Sequence, residues 1–236
     1  MITIKNYSKT YSNGKKAVEN LNLHVAPGDL YAFIGHNGAG KSTTIKSVVG
    51  ILPFEEGEIL INGINILENS VECKKLIGYI PDNPDLYDSL TGIAYLNFIA
   101  DLFRVSKEKR ENIVNHYAKL FELENDLNNI ISSYSHGMKQ KLALISAFVH
   151  EPKILIMDEP FVGLDPKATY TVKTVMKEFC EKGGAIFFST HILEVAQKLC
   201  NKIAIIKQGK LVISGDMETV TKDASLEEVF LELTNA

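Results

Sequence analysis

The chain has 236 residues, a net charge of −4, and 45% hydrophobic against 23% charged residues, enough apolar material for one large domain or a core with a subdomain. The charge comes without a basic block, which argues against a nucleic-acid partner. No apolar run reaches the roughly 18 residues of a membrane span, and the opening "MITIKNYSKTY" lacks the apolar segment of a signal peptide. Cys73, Cys180 and Cys200 are scattered with no CxxC spacing, so free, mostly buried thiols in a reducing cytosol are expected rather than a disulfide framework or a zinc site.

In chain order the β-like runs are "ITIKNY", "NLNLHVA", "DLYAFIG", "GEILING" and "IGYI", then "KILIMDE", "AIFFST", "KIAIIKQG" and "KLVISG". Helical patterns fall between several of them, at 41–52, 70–76, 166–182 and 192–199. "ILIMDE" and "AIFFST" are near-continuous apolar runs, as strands buried on both faces of a parallel sheet must be. This alternation predicts an α/β core. Residues 89–150 break it: "SLTGIAYLNFIADLFRV", "KEKRENIVNHYAKLFEL" and a third pattern after "SSYSHGM" read as amphipathic helices. A helical subdomain at about 89–150 is therefore expected, inserted in a core made of 1–88 and 151–236. Ser225 with Glu228 three residues on forms a capping-box pattern that starts a last helix.

Two stretches carry chemistry. Gly35-His36-Asn37-Gly38-Ala39-Gly40-Lys41-Ser42 matches G-x-x-x-x-G-K-[ST], after a strand and before an apolar helix. Its glycines let successive backbone N–H groups turn onto phosphate oxygens, aided by the helix dipole. Lys41 supplies charge for the β/γ-phosphates and the Ser42 hydroxyl a ligand for Mg²⁺. His36 is a tolerated filler, since nothing in such a loop requires an imidazole. Asp158 and Glu159 emerge together where a buried strand ends, the edge of an open α/β sheet at which ligands bind. Asp158 is expected to hold Mg²⁺, directly or through water, and Glu159 to act as general base toward the attacking water.

Together these segments resemble the ATP-binding cassette (ABC) ATPases from about residue 2 to 233. The resemblance implies a P-loop NTPase (RecA-like) α/β core with an N-terminal antiparallel β subdomain and the inserted helices, binding ATP and Mg²⁺. It implies that Tyr11 stacks on adenine and that Gly35 to Thr43 (His36, Asn37 and Ala39 included) surround the phosphates. His191, after "AIFFST", matches the histidine that contacts the γ-phosphate, and Asp165 of "GLDP" the subunit-contact position. Tyr134-Ser135-His136-Gly137-Met138 aligns with the family signature LSGGQ, in which His136 replaces a glycine and Met138 the glutamine. Ser135 and Gly137 remain as the residues expected on a γ-phosphate. In the family two cassettes meet head to tail, each signature capping the ATP held by the other's loop. Where the family places a glutamine after a strand, this chain has Tyr79-Ile80-Pro81-Asp82. Either Asp82 ligates Mg²⁺ in its place, or Asn83 reaches in through a one-residue shift.

The resemblance further implies a peripheral subunit on the cytoplasmic face of the membrane, a homodimer or heterodimer with a second cassette, driving transport through a separate transmembrane permease. Leu86, Tyr87 and Leu90 fall where the family receives the permease's coupling helix. "GHNGAGKSTTIK" and "STHILEVAQKLC" look most like bacterial antibiotic-resistance and multidrug exporter cassettes. The alternatives are a soluble, non-transport ABC ATPase and a poorly hydrolysing regulatory subunit.

Overall fold

Strand and helix alternate along the computed structural model, which describes residues 1–222 and 224–235. The first half contains β1 (Ile2–Thr10), β2 (Lys16–Val25), β3 (Leu30–Ile34), α1 (Lys41–Val48), β4 (Glu56–Ile61), β5 (Ile64–Asn65), α2 (Ser70–Lys75) and β6 (Ile77–Ile80). Three helices follow, α3 (Gly92–Leu102), α4 (Lys107–Leu120) and α5 (His136–Phe148). The chain then forms β7 (Ile154–Asp158), α6 (Pro166–Glu181), β8 (Ala185–Thr190), α7 (Leu193–Leu199), β9 (Lys202–Lys207), β10 (Lys210–Asp216), α8 (Met217–Thr221) and α9 (Leu226–Asn235).

The strands make two sheets. A six-stranded one has the order β10-β9-β3-β8-β7-β6, and a four-stranded one the order β2-β1-β4-β5. In the larger sheet β6, β7, β8, β3 and β9 run parallel, with β10 added antiparallel at the edge. Every residue of β3, β7 and β8 is buried, the reason these stretches read as unbroken apolar runs. Their side chains alternate between two cores. Leu30, Ala32, Ile34, Leu155, Met157, Ile186 and Phe188 face the one shared with helices α3 to α9. Tyr31, Phe33, Ile154, Ile156 and Phe187 face the one shared with α1 and the antiparallel sheet.

The helices of residues 92–148 begin at side-chain caps. Thr91 accepts the Ala94 N–H, Ser106 the Lys109 N–H, and Ser135 the Met138 N–H, each satisfying an N–H that the first helical turn leaves without a partner. The capping box of the last helix forms: the Ser225 N–H donates to Glu228 Oε2 at 2.7 Å, and the Glu228 N–H to Ser225 Oγ at 3.2 Å. Two elements have no periodic signal in the sequence, β5 and α8, because two and five residues are too few to show a period. Cys73, Cys180 and Cys200 are free and buried. Among the described residues no helix is long and apolar enough to cross a membrane.

The antiparallel sheet is tied to α1, and so to the loop in front of it, by one buried hydrogen bond. Tyr7 is fully buried, stands edge-on to Phe54 at 5.2 Å, and donates its hydroxyl to Ser47 Oγ at 2.7 Å. Burial pushes the Tyr7 phenol up to about 12. Tyr7→Phe should cost about 1–2 kcal/mol, the loss of that bond plus an unpaired Ser47 hydroxyl. Urea unfolding checks this: an unchanged midpoint would mean that water already satisfies the serine.

Candidate nucleotide-binding and hydrolysis site

The parallel sheet sends four strand ends to one edge. β3 leads into Gly35, β6 into Pro81-Asp82, β7 ends on Asp158, and β8 leads into His191. The register pairs Ile34 with Thr190, Asp158 with Ser189, and Ile80 with Met157.

The loop between β3 and α1 lies against neighbouring backbone. Gly38 (φ 80°) and Gly40 (φ 111°) are left-handed, and a Cβ on Gly40 would stand 2.6 Å from the Ala17 carbonyl oxygen. Side chains there would strain the turn and push the loop off its support. Lys41, the first residue of α1, is 6% exposed and donates from Nζ to the Gly35 carbonyl at 2.7 Å and the His36 carbonyl at 3.4 Å. Burial lowers the pKa of its ammonium, while the charges of Glu159 and Asp158 oppose that shift. Thr43 Oγ1 lies 3.1 Å from the Tyr11 hydroxyl. Tyr11, Lys41, Ser42, Thr43, Asp82 and Glu159 line one cavity of about 220 Å³, together with Asn37, Gly38 and Gly40. Ala39 is buried beneath the loop, donating to the His36 carbonyl at 3.1 Å. Asn83 lines a different cavity, with Pro84, Asp85 and Leu86.

The two acids stand in different surroundings. Asp158 is 3% exposed and accepts the Ser189 hydroxyl hydrogen on Oδ1. At Glu159 the chain turns left-handed (φ 50°), and its N–H donates to both the carbonyl and the hydroxyl oxygen of Ser189 at 3.2 and 3.1 Å. The Glu159 carboxylate, 13% exposed, accepts from the His191 N–H at 3.3 Å and from His191 Nδ1 at 2.9 Å. An ionised carboxylate only accepts, so this contact puts the imidazole proton on Nδ1. His191 also faces the phosphate loop across a second cavity, about 550 Å³, lined by Gly35, His36, Asn37, Leu193 and Phe230. The His36 ring packs on Phe230 of α9 at 5.0 Å, a contact the sequence does not announce.

Ser135 and Gly137 do not line the phosphate-loop cavity. Ser135 caps α5, with its oxygen 3.3 Å from the Met138 N–H, and Gly137 lies beneath the Gly163 carbonyl. Asp165 is likewise a cap, accepting the Ala168 N–H at 2.8 Å. Two residues central to this geometry have no place in the sequence reading, Ser189 and Gln140. Both are wholly buried polar residues. For Ser189 the signal is a hydroxyl within an otherwise apolar buried strand, which demands a specific partner; Gln140, between Lys139 and Lys141, carries no such signal.

A glycine-rich loop with a buried lysine at a helix N-terminus, and a buried strand-end aspartate followed by a glutamate, define a P-loop nucleotide-binding ATPase. A family model described as ABC transporter matches residues 18–162. The ABC-type transporter ATP-binding protein EcsA of Bacillus subtilis (strain 168) is 34% identical over 99% of this chain and 96% of its own length. A solved ATP-binding subunit of an ABC transporter superposes with a TM-score of 0.94 at 34% identity, covering 99% of both chains. A dimeric post-hydrolysis state of the ATP-binding cassette MJ0796, bound to ADP and Pi, superposes with a TM-score of 0.83 at 26% identity, over 92% of this chain and 99% of that one. This chain belongs to the ABC transporter family, as an ATP-binding, ATP-hydrolysing subunit.

Because one hydroxyl bonds both Asp158 and the Glu159 backbone, Ser189→Ala should lower kcat for ATP by about tenfold, within the range of a lost positioning contact, and change the ATP KM by less than about twofold. Steady-state kinetics decide it: a kcat equal to wild type would mean that the strand register alone holds the acids.

Proposed function

We propose that the phosphate loop, Tyr11, Asp82, Asp158, Glu159 and His191 form one half of an ATP site, and that the signature of a second cassette completes it. The single observation carrying this reading is the division of the anion-binding elements. Lys41, Ser42, Asp82 and Glu159 share one cavity, while Ser135 and Gly137 lie outside it. A chain whose own loop surrounds its nucleotide leaves its signature helix to meet another nucleotide, and a head-to-tail pair of cassettes satisfies both.

In this reading Tyr11, anchored on Thr43, stacks against adenine, and Lys41 leaves the loop carbonyls for the phosphates. Glu159 takes a proton from water as the water oxygen attacks the γ-phosphorus; the bond to the β-γ bridging oxygen breaks, and ADP departs. His191 holds the carboxylate in the orientation that reaches that water. Ser42, Asp158 and Asp82 would hold Mg²⁺, which would neutralise charge on the phosphate oxygens. Their donors are all hard oxygens, as Mg²⁺ requires. Among the described residues no group of three or more His, Cys, Asp or Glu is arranged to hold a metal, which fits an ion that arrives with phosphate ligands of its own.

The partner for transport would be a separate permease, with this subunit peripheral on the cytoplasmic face. Supporting this, Tyr87 is 56% exposed and stands edge-on to the exposed Phe98 at 5.5 Å. Leu86 and Leu90 instead pack against the core, so of the three residues at the expected docking position Tyr87 offers the contact surface. Beside it Ile51, Tyr79, Tyr95, Ile99 and Phe103 line a groove of about 380 Å³. An exporter of the antibiotic-resistance type is the form of transporter that the phosphate-loop and His191 segments resemble.

Glu159→Gln should keep ATP binding and lose hydrolysis by about 10² or more, since the amide cannot accept the water's proton. Size-exclusion chromatography with ATP should then show a trapped dimer. Hydrolysis within a factor of about two of wild type would remove Glu159 from the base role.

The shared site also predicts complementation. Lys41→Ala and Ser135→Arg chains should each be nearly inactive alone. In a mixed dimer both lesions fall on one ATP site, leaving the other with an intact loop and an intact signature, so mixing should restore ATPase activity. Loss of ATP binding by the Ser135→Arg chain as an isolated monomer would place the signature in cis and defeat the reading.

A further inference from the structure

One face of α5 carries the loop that leads away from Glu159. The His136 ring lies over the Cα of Gly163: a Cβ at that glycine would collide with the imidazole Cδ2 and stand 2.7 Å from Nε2. On the same turn, a Cβ at Gly137 would come within 2.9 Å of the Gly163 carbonyl oxygen. One turn further on, buried Gln140 donates from Nε2 to the Pro160 carbonyl at 3.5 Å, and the Lys141 ammonium lies 3.7 Å from the Asp165 carboxylate. Positions 136, 137, 140 and 141 are neighbours on one helical face. Residues 160–165 thus run along the signature helix of the same chain.

This segment starts at the left-handed Glu159, held by Ser189, and ends at Asp165, the cap of α6. Between those anchors Gly163 is itself left-handed at φ 77°. A glycine there is conformationally free, and motion at it would pass along the backbone to Glu159, four residues away. The imidazole, itself exposed, occupies the volume that a side chain on residue 163 would fill and so restricts how that glycine can turn. The ABC signature has a glycine where this chain has His136, and a glycine leaves that volume empty.

We propose that His136 is a positioning residue for hydrolysis. Its ring ties the signature to the loop behind the catalytic carboxylate, so that a phosphate settling on Ser135 and Gly137 also sets Glu159 of the same chain for the other ATP. This rests on the reading of Glu159 as the base and of the signature as acting in trans. The two ATP sites of the dimer are then coupled through a contact within each chain.

The test is a double-mutant cycle on His136→Gly and Gly163→Ala, read as kcat and KM for Mg-ATP. His136→Gly should lower kcat by about fivefold while ATP KM stays within about twofold, because affinity is set at the phosphate loop. Gly163→Ala should be worse, since its methyl meets the ring as well as the strained φ. In the double variant the ring is gone, so the combined loss should be smaller than the product of the single losses by about threefold or more, the mark of residues in contact. A product rule obeyed to better than about threefold would overturn the proposal. If Gly163→Ala does not fold, His136→Phe takes its place: a ring there should return kcat to at least about threefold above His136→Gly, and equal rates would overturn the proposal. Glu159→Gln, run alongside, separates the two readings. Retained hydrolysis in that variant refutes the base assignment, whereas lost hydrolysis with an additive cycle refutes only the role of His136.

Discussion

The parallel register that sets Asp158 opposite Ser189 and Ile34 opposite Thr190 decides where Asp158, Glu159 and His191 stand relative to the phosphate loop. Parallel strands bring their carboxyl ends to one edge, and the strand between the phosphate loop and the acids, β8, supplies the hydroxyl that they share. Ser189 donates to Asp158 and accepts from the backbone of Glu159. That single side chain holds one carboxylate buried at the strand end and turns the next residue left-handed toward His191. A shift by one residue would point each of these side chains to the opposite face of the sheet.

Charge is managed by the same placement. Lys41 is buried with its ammonium on the Gly35 and His36 carbonyls, and the charges of Glu159 and Asp158 offset only part of the cost of that burial. A bound triphosphate would replace those carbonyls with stronger, charged partners for the ammonium. Asp82 adds a carboxylate where the family has an amide, raising the negative charge of the cavity that it shares with Lys41 and Ser42.

The signature helix follows a different physical logic. Its face toward solvent offers Ser135 and the N-terminus of a helix, a ready anion site once a neighbour brings the phosphate. Its other face is committed to the segment after Glu159, through His136, Gly137, Gln140 and Lys141. One helix would therefore touch both the phosphate that it caps and the segment that follows Glu159. His36 shows a related economy: the filler residue of the phosphate loop packs on Phe230 and joins the loop to the last helix.

Much of this was legible in the chain itself. The glycine spacing before Lys41 and the strand-to-acid transition at Asp158-Glu159 are local patterns, because the chemistry needs those residues adjacent in sequence. The buried strands announced themselves by unbroken apolar runs, since a central parallel strand meets side chains on both faces. What the tertiary structure alone decided is which distant residues meet. Ser189 reads as an unremarkable strand serine until β8 is laid beside β7. His136 reads as a lost glycine until Gly163, 27 residues on by the numbering, is folded beneath its ring. The turn after β6 likewise sends Asp82 to the phosphate-loop cavity and Asn83 to another, a separation of neighbours that the sequence does not show. Local sequence specifies the groups that must be neighbours along the backbone; contacts across strands and helices arise from register and packing, which no short window of residues contains.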